Sequence, residues 1–280
     1  MSALCHEPTS TVVLYRDSEP RLLRLRSDYF GGVTMQTIGL IGGMSWESTA
    51  LYYKLINERV RDRMGKLHSA PLLMYSYDFQ EIKEMQYADR WGEAADSLAD
   101  VARRLANAGA RAIVLCTNTM HKLAPDIMSK VSIPLIHIGD ATAQRIRAKG
   151  YRRVGLLGTK FTMEEDFYID RLRAHDLDVL IPSADERADV NRIIYDELCL
   201  GIVAAPSRRC YQDVMATLVA SGAECIILGC TGDHDASRSE RHVDRDIQHY
   251  RNSRRDRSRL RNRMIVMWST AGALSRSIHG

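Results

Sequence analysis

The 280-residue sequence contains no apolar run close to the roughly 20 residues that cross a bilayer, which speaks against a membrane span or a membrane partner. It also lacks the apolar core of a secretory signal, because Met1 to Arg16 mixes Cys, His, Glu, Pro and Arg. The expected location is therefore the cytoplasm, where the six cysteines read as reduced thiols rather than a disulfide framework. No Cys-x-x-Cys or His-x-x-x-His is present, so a zinc site drawn from Cys116, Cys230 and His121 has no spacing behind it, and no metal is expected. No Gly-x-Gly-x-x-Gly follows a strand, which leaves a dinucleotide cofactor unsupported. The net charge of +4 is local: Arg251 to Arg263 holds seven Arg and one Asp, and 4 − 6 = −2 remains elsewhere. That stretch lacks interleaved aromatics, so no nucleic-acid partner is inferred from it.

What is present falls into segments of unlike character. Residues 1–34 show no useful periodicity and read as an extension without order or function; the native start is placed at Met35. Gly31-Gly32-Val33 would have purine-rich codons of the kind a ribosome-binding site uses. From Thr37 to Thr231, strand and helix signals alternate. The apolar runs 37–41, 112–116, 133–138, 154–158, 178–182 and 224–230 read as buried strands. Trp91, Ala94, Ala95, Leu98, Val101 and Leu105 form one apolar face at helical spacing. Such alternation predicts mostly parallel sheets with helices on both faces.

The body also repeats itself. Thr37-Ile-Gly-Leu-Ile-Gly-Gly resembles Arg153-Val-Gly-Leu-Leu-Gly-Thr, and Gly109-Ala-Arg-Ala-Ile-Val-Leu-Cys-Thr resembles Gly222-Ala-Glu-Cys-Ile-Ile-Leu-Gly-Cys-Thr. Gly39 to Cys116 is 116 − 39 = 77 residues and Gly155 to Cys230 is 230 − 155 = 75. The expected fold is α/β with two pseudo-symmetric lobes: residues 35–140, then 141–231, followed by an atypical Arg-rich segment, 232–280. Ligands of open parallel sheets bind beyond the carboxyl ends of the strands, so facing lobes would bring both Cys-Thr strand ends to one cleft.

Two thiols facing one cleft can act as a base on one face of a substrate and an acid on the other, because a thiol's pKa is widely tunable. A lone strand cysteine is usually packing; the repeated strand-end Cys-Thr points instead to chemistry at Cys116 and Cys230. Cys5, Cys199, Cys210 and Cys225 have no such counterpart and read as structural. Backbone N–H groups after Cys116 are expected to favour its thiolate and to hold a substrate carboxylate, with Thr117, Asn118 and Thr119 as further donors. The turns at Gly42-Gly43-Met44-Ser45 and Gly158-Thr159-Lys160 are counterparts suited to a small anion. Lys160 is either a partner for a substrate side-chain carboxylate or a solvated surface cation.

These residues resemble the aspartate/glutamate racemase family, from Met35 to Thr231. The matching text is Ile38 to Thr49 (IGLIGGMSWEST), Cys116 to Lys122 (CTNTMHK), Leu157 to Met163 (LGTKFTM) and Gly229 to Thr231 (GCT). The resemblance implies a two-lobed fold, no pyridoxal or other cofactor, a small amino-acid substrate, and a homodimer. Carried over by position, it implies Cys116 and Cys230 as the acid/base pair. Met44, Gln86, Thr117, Asn118, Thr119, Lys160 and Thr231 would line the substrate site. Hydantoin racemases and maleate isomerases are the nearest alternatives, and the Cys-Thr-Asn-Thr-Met-His wording argues against both.

The resemblance stops after Thr231. Family members continue with Glu-Ile, a further strand and a closing helix, whereas here Gly232-Asp-His-Asp-Ala236 follows. The codons for these residues, read one base later, permit Glu then Ile. A frameshift near codon 232 is the expectation, with the Arg-rich tail as its product. The leading function is interconversion of L- and D-aspartate or glutamate. The alternative is an impaired or non-catalytic remnant that only binds small acids.

Overall fold

The computed structural model describes residues 35–229 except Val203, together with the backbone of three short strands, 12–16, 19–23 and 265–268. Two of these strands lie in the extension: β1 (Val12–Arg16) pairs antiparallel with β2 (Glu19–Leu23). This differs from the expected lack of order. The runs VVLYR and EPRLL are apolar enough to pair, and only two residues separate them, a length suited to a hairpin.

The first lobe runs β3 (Ile38–Gly42), α1 (Trp46–Met64), β4 (Leu72–Ser76), α2 (Phe79–Tyr87), α3 (Trp91–Asn107) and β5 (Ala112–Leu115). A 3₁₀ turn (Thr119–Leu123) and α4 (Ala124–Lys130) follow. α5 (Ile138–Ala148) leads to the second lobe: β6 (Arg153–Leu157), α6 (Lys160–Glu164), α7 (Asp166–Arg173), β7 (Asp178–Leu180), α8 (Ala184–Asp196), a 3₁₀ turn (Leu198–Leu200), α9 (Ala205–Ala220) and β8 (Cys225–Leu228). The first sheet has the order β4-β3-β5 and the second β7-β6-β8, all parallel. In each lobe the first strand is central and the next two flank it, so the sequence repeat is a repeat of topology. A last strand, β9 (Ile265–Trp268), adds parallel to β8. Ile265–Trp268 (IVMW) is an apolar run inside the Arg-rich segment, where no strand was expected.

The two central strands are shaped by glycine in the same way. Gly39 faces Ile113, Ala110 and Leu105, while Gly155 faces Ile226 and Leu218, so α3 and α9 pack directly on the strand backbone. Added carbons on Gly42 and Gly158 would meet Thr49 and Thr162, each in the first turn of the following helix. Those helices start alike: Ser45 caps α1 by accepting from Ser48 N, and Thr159 caps α6 by accepting from Thr162 N.

The stripe read on α3 is observed: Ala94, Ala95, Leu98, Val101 and Leu105 are buried and Trp91 is half-buried. At roughly 1.5–3 kcal/mol for each large aliphatic side chain, such burial fixes the helix on its sheet. The run 133–138 departs from the reading. It makes one bridge, Ile113 with Leu135, and then becomes the start of α5 at Ile138. Pro134 has no N–H to extend a ladder, and His137 caps α5 by accepting from Gly139 N. β4 (LLMYS) was missed because it is an edge strand with only partial burial and no clean alternation. No helix among the described residues is long and apolar enough to cross a membrane.

Candidate active site

The carboxyl ends of β3, β5, β6 and β8 converge on one cleft. It is lined by Met44, Ser45 and Ser48 before and in α1, Phe79 and Gln86 of α2, Thr117 to Thr119, Thr159, Ile194 and Tyr195 of α8, Cys199, and Gly229.

The floor is held by hydrogen bonds that cross between the lobes. The Asn118 side-chain amide donates to Gly229 O at 2.7 Å, tying the loop after β5 to the residue that precedes Cys230. The Thr119 and Thr159 hydroxyls lie 2.9 Å apart and bond each other, and Thr159 also meets Thr162 Oγ1 at 3.1 Å. Gln86 is buried and held from both sides: its Nε2 lies 3.0 Å from Met120 Sδ, and Tyr195 OH donates to its Oε1 at 3.4 Å. Outside the cleft, Lys122 lies 2.8 Å from Glu165 and 4.0 Å over the Trp91 ring, a second clasp between lobes.

In the first lobe, Gly43 N donates to Thr49 Oγ1 at 2.8 Å, and that hydroxyl donates onward to Ser45 O at 2.9 Å. Gly43 has φ +85, and an added carbon would overlap the Tyr77 backbone, so only glycine lets the turn approach β4 this closely. The Met44–Ser45 peptide is cis.

Of the residues expected from the sequence, Met44, Gln86, Thr117, Asn118 and Thr119 line the cleft together. Lys160 does not. It is the exposed first residue of α6, its backbone N–H donating to Asn191 Oδ1 at 2.8 Å, and the preceding Thr159 takes the place on the wall. Cys230 and Thr231 lie outside the described residues. Ser45 and Thr159 belong to the two turns read as suited to a small anion, whereas Ser48, Phe79, Ile194, Tyr195 and Cys199 were missed. Ser45 and Thr159 carried a usable signal, because each caps the helix after a central strand. The α8 residues and Cys199 carried none.

Cys116 departs from the expected environment. It is fully buried among Leu40, Tyr52, Val114 and Leu156 and does not line the cleft, whose nearest wall is Thr117. Burial pushes the thiol pKa well up, so desolvation outweighs the strand-end dipoles that were expected to favour a thiolate. The ladder fixes where Cys116 sits. Cys116 N donates to Ile41 O at 2.9 Å and Gly229 N to Leu157 O at 2.7 Å, so Cys116 and Gly229 hold equivalent rungs. Cys116 is thus the last ladder residue of its lobe, whereas in the second lobe the equivalent residue is the one before Cys230.

No group of three His, Cys, Asp or Glu among the described residues is arranged to hold a metal.

A family model for Asp/Glu/Hydantoin racemase matches residues 41–245. The chain belongs to this family. The match begins after the extension and spans both lobes. A glutamate racemase from Thermus thermophilus is 30% identical over 136 residues, 47% of this chain and 47% of that protein, so the chain spans about half the length of this curated relative. Among solved structures, a candidate Asp/Glu racemase from Yersinia pestis is 43% identical, covering 87% of this chain and 98% of that one with a TM-score of 0.71. An aspartate racemase homologue from Pyrococcus horikoshii is 31% identical over the same shares, with a TM-score of 0.67. The two-lobed fold with parallel sheets is therefore that of Asp/Glu racemases.

Proposed function

We propose that the chain interconverts the L- and D-forms of a small amino acid, aspartate or glutamate first, by a two-cysteine mechanism without pyridoxal. One observation carries the reading: the Asn118 to Gly229 hydrogen bond joins the two strand ends on which Cys-Thr repeats. Cys116 precedes Asn118 by two residues and Cys230 follows Gly229 directly. The chemistry follows from that pairing. A thiolate on one side removes the α-proton, and the thiol on the other side delivers its own proton to the opposite face. The enzyme ends with the two protonation states exchanged, ready for the reverse enantiomer. With its pKa raised by burial, Cys116 is the thiol partner in the resting state, and once deprotonated it is a strong base.

The neutral wall assists. The hydroxyls of Ser45, Ser48, Thr117, Thr119 and Thr159 and the amides of Gln86 and Asn118 supply donors for the α-carboxylate. Lys160, with Thr231, is proposed to meet a side-chain carboxylate, reaching from the rim. A cytoplasmic homodimer is the proposed setting.

The test is solvent-deuterium exchange at Cα of L-aspartate and L-glutamate with the purified chain, followed by proton NMR and by optical rotation. Exchange with inversion is the expected result. Cys116→Ala and Cys230→Ala should each lower racemisation by about 10²–10⁴-fold, the usual worth of a proton-transfer group. Either variant retains at most exchange on one enantiomer. Full racemisation by either variant sinks the two-cysteine assignment. A folded chain with no exchange supports instead a remnant that binds small acids, the reading that the altered segment after Thr231 favours.

A further inference from the structure

His121 ends the Cys-Thr-Asn-Thr-Met-His run, yet it does not line the cleft, and among the described residues it belongs to no metal cluster. It is 1% exposed, on the 3₁₀ turn after β5. Its Nδ1 lies 2.7 Å from Thr117 O, and its Nε2 lies 3.2 Å from Ile138 N. Thr117 O can only accept, so Nδ1 carries the proton. Ile138 N–H can only donate, so Nε2 is bare. These two contacts are those of the neutral Nδ1–H imidazole.

The consequence reaches in two directions. Ile138 is the first residue of α5, whose initial N–H groups have no partner within the helix. His121 satisfies the first, and His137 Nδ1 accepts from Gly139 N at 3.1 Å. The two rings meet edge to face at 4.6 Å. Two residues further on, Asp140 receives both Arg171 Nε and Nη2 at 2.7 Å, and His175 Nε2 lies 3.0 Å away. Thus the carbonyl of Thr117, next to Cys116, is tied through His121 to a helix end that is itself tied to α7 in the second lobe.

We propose that His121 is a positioning residue of the racemase site: it clamps the Thr117 carbonyl to the first turn of α5 and so fixes Cys116 and the Thr117–Thr119 wall against the second lobe. The inference rests on the racemase reading for its effect on rate, but the clamp itself does not. The charged and titratable groups around His121 are His137 at its edge, Asp140 on α5, and Arg171 and His175 behind Asp140. Burial keeps the ring neutral and lowers its pKa to about 4, outweighing the backbone carbonyls of Thr117, Asn118 and Ile136 and the Asp140 carboxylate, which pull the other way.

Two measurements on the full-length chain test it. The first is the tautomer, by nitrogen-15 NMR of labelled histidine. A neutral Nδ1–H ring at position 121 from pH 5 to 8 is expected. An Nε2–H ring, or titration near 6.5, overturns the clamp whether or not the chain is active. The second is kinetic. His121→Leu should lower kcat by about 30–100-fold, the scale of a small misplacement of reacting groups, while KM changes by less than about threefold. His121→Asn, whose amide can replace the Nδ1–H donor, should recover most of that loss, and neither variant should remove a limb of the pH–rate profile. Unchanged kcat in His121→Leu, no recovery in His121→Asn, or loss of a limb near 6.5 overturns the positioning role. A folded wild type that exchanges no α-proton overturns the racemase reading and with it the effect on rate, and the tautomer still decides the clamp. If His121→Leu fails to fold, the comparison of His121→Asn with wild type and the tautomer decide.

Discussion

At Cys116 two influences oppose each other. The strand end supplies backbone dipoles that favour a thiolate, and full burial beside Tyr52 and Tyr168 favours the thiol. Burial wins. Alkylation of Cys116 by iodoacetamide at pH 8 should therefore be slower, on the order of tenfold or more, than that of Cys199, which lines the cleft. Peptide mass spectrometry with and without urea checks this, and equal labelling of both residues in folded protein would show that Cys116 is open and ionised. Lys160 belongs to the same scale. An exposed cation beside the cleft rather than on its wall is a screened partner worth about 1 kcal/mol or less. Lys160→Met should thus raise KM for aspartate or glutamate by no more than about fivefold. The KM for homoserine should stay unchanged; equal changes on acidic and neutral substrates would place its effect elsewhere.

Among the elements, the strand–turn–helix units β3–α1 and β6–α6 bring the site together. Each puts a glycine at or just past the strand end, a hydroxyl residue at the helix cap and a threonine against the glycine. Gly42→Ala should displace Thr49, which also holds Gly43 N, and should cost about 1–3 kcal/mol. For a chain of this size that is a fall in Tm of roughly 2–10 °C. Calorimetry of the variant measures it, and an unchanged Tm would show that the turn has room the geometry denies. The helical stripe of α3 and the apolar strands β3, β5, β6 and β8 were legible because periodicity and apolar runs report burial directly. The run 133–138 was read as a strand because apolar content alone does not distinguish a strand from a docked connection. Only the placement of Pro134 and His137 at the head of α5 does so.

On the scale of the molecule, the buried histidine pair couples folding to pH. Burial lowers His121 to about 4 and, with His121 and Arg171 beside it, His137 to about 2, against 6.5 in the unfolded chain. Below 6.5 the unfolded chain binds protons that the folded chain refuses, so stability is full above 6.5 and falls as pH drops toward 4. Each histidine adds a slope of at most about 1.4 kcal/mol per pH unit. For Asp140, burial raises the carboxyl pKa, but its hydrogen bonds to Arg171 and His175 outweigh this and lower it. Its share is lost only at pH values below the ordinary carboxylate range. Urea melts at pH 7.5, 5.5 and 4.5 should show a stepwise loss; equal stability at 7.5 and 5.5 would mean that these rings protonate within the fold. The C-terminal segment is tested at this scale too. Replacing the residues after Thr231 by the alternative frame, which opens Glu-Ile, should raise both Tm and the racemisation rate. If the chain as it stands is equally stable and equally fast, the tail with β9 is a genuine part of the fold.

The sequence by itself determined the two-lobed α/β plan, since its internal repeat and strand–helix alternation are patterns of burial that any packing must respect. It also determined the family and, among the cleft residues, Met44 and Thr117 to Thr119, which sit at strand ends and helix starts, where local chemistry leaves a mark; Gln86, in the last turn of α2, came from the resemblance alone. Only the tertiary structure decided that Tyr195, Ile194 and Cys199 reach the same cleft from α8 and the turn beyond it, since nothing local announces a contact across the lobes. It alone decided that Cys116 lies one rung inside its sheet. The repeat aligns Cys116 with Cys230 by their letters, whereas the ladder aligns Cys116 with Gly229, because register is set by the neighbouring strand.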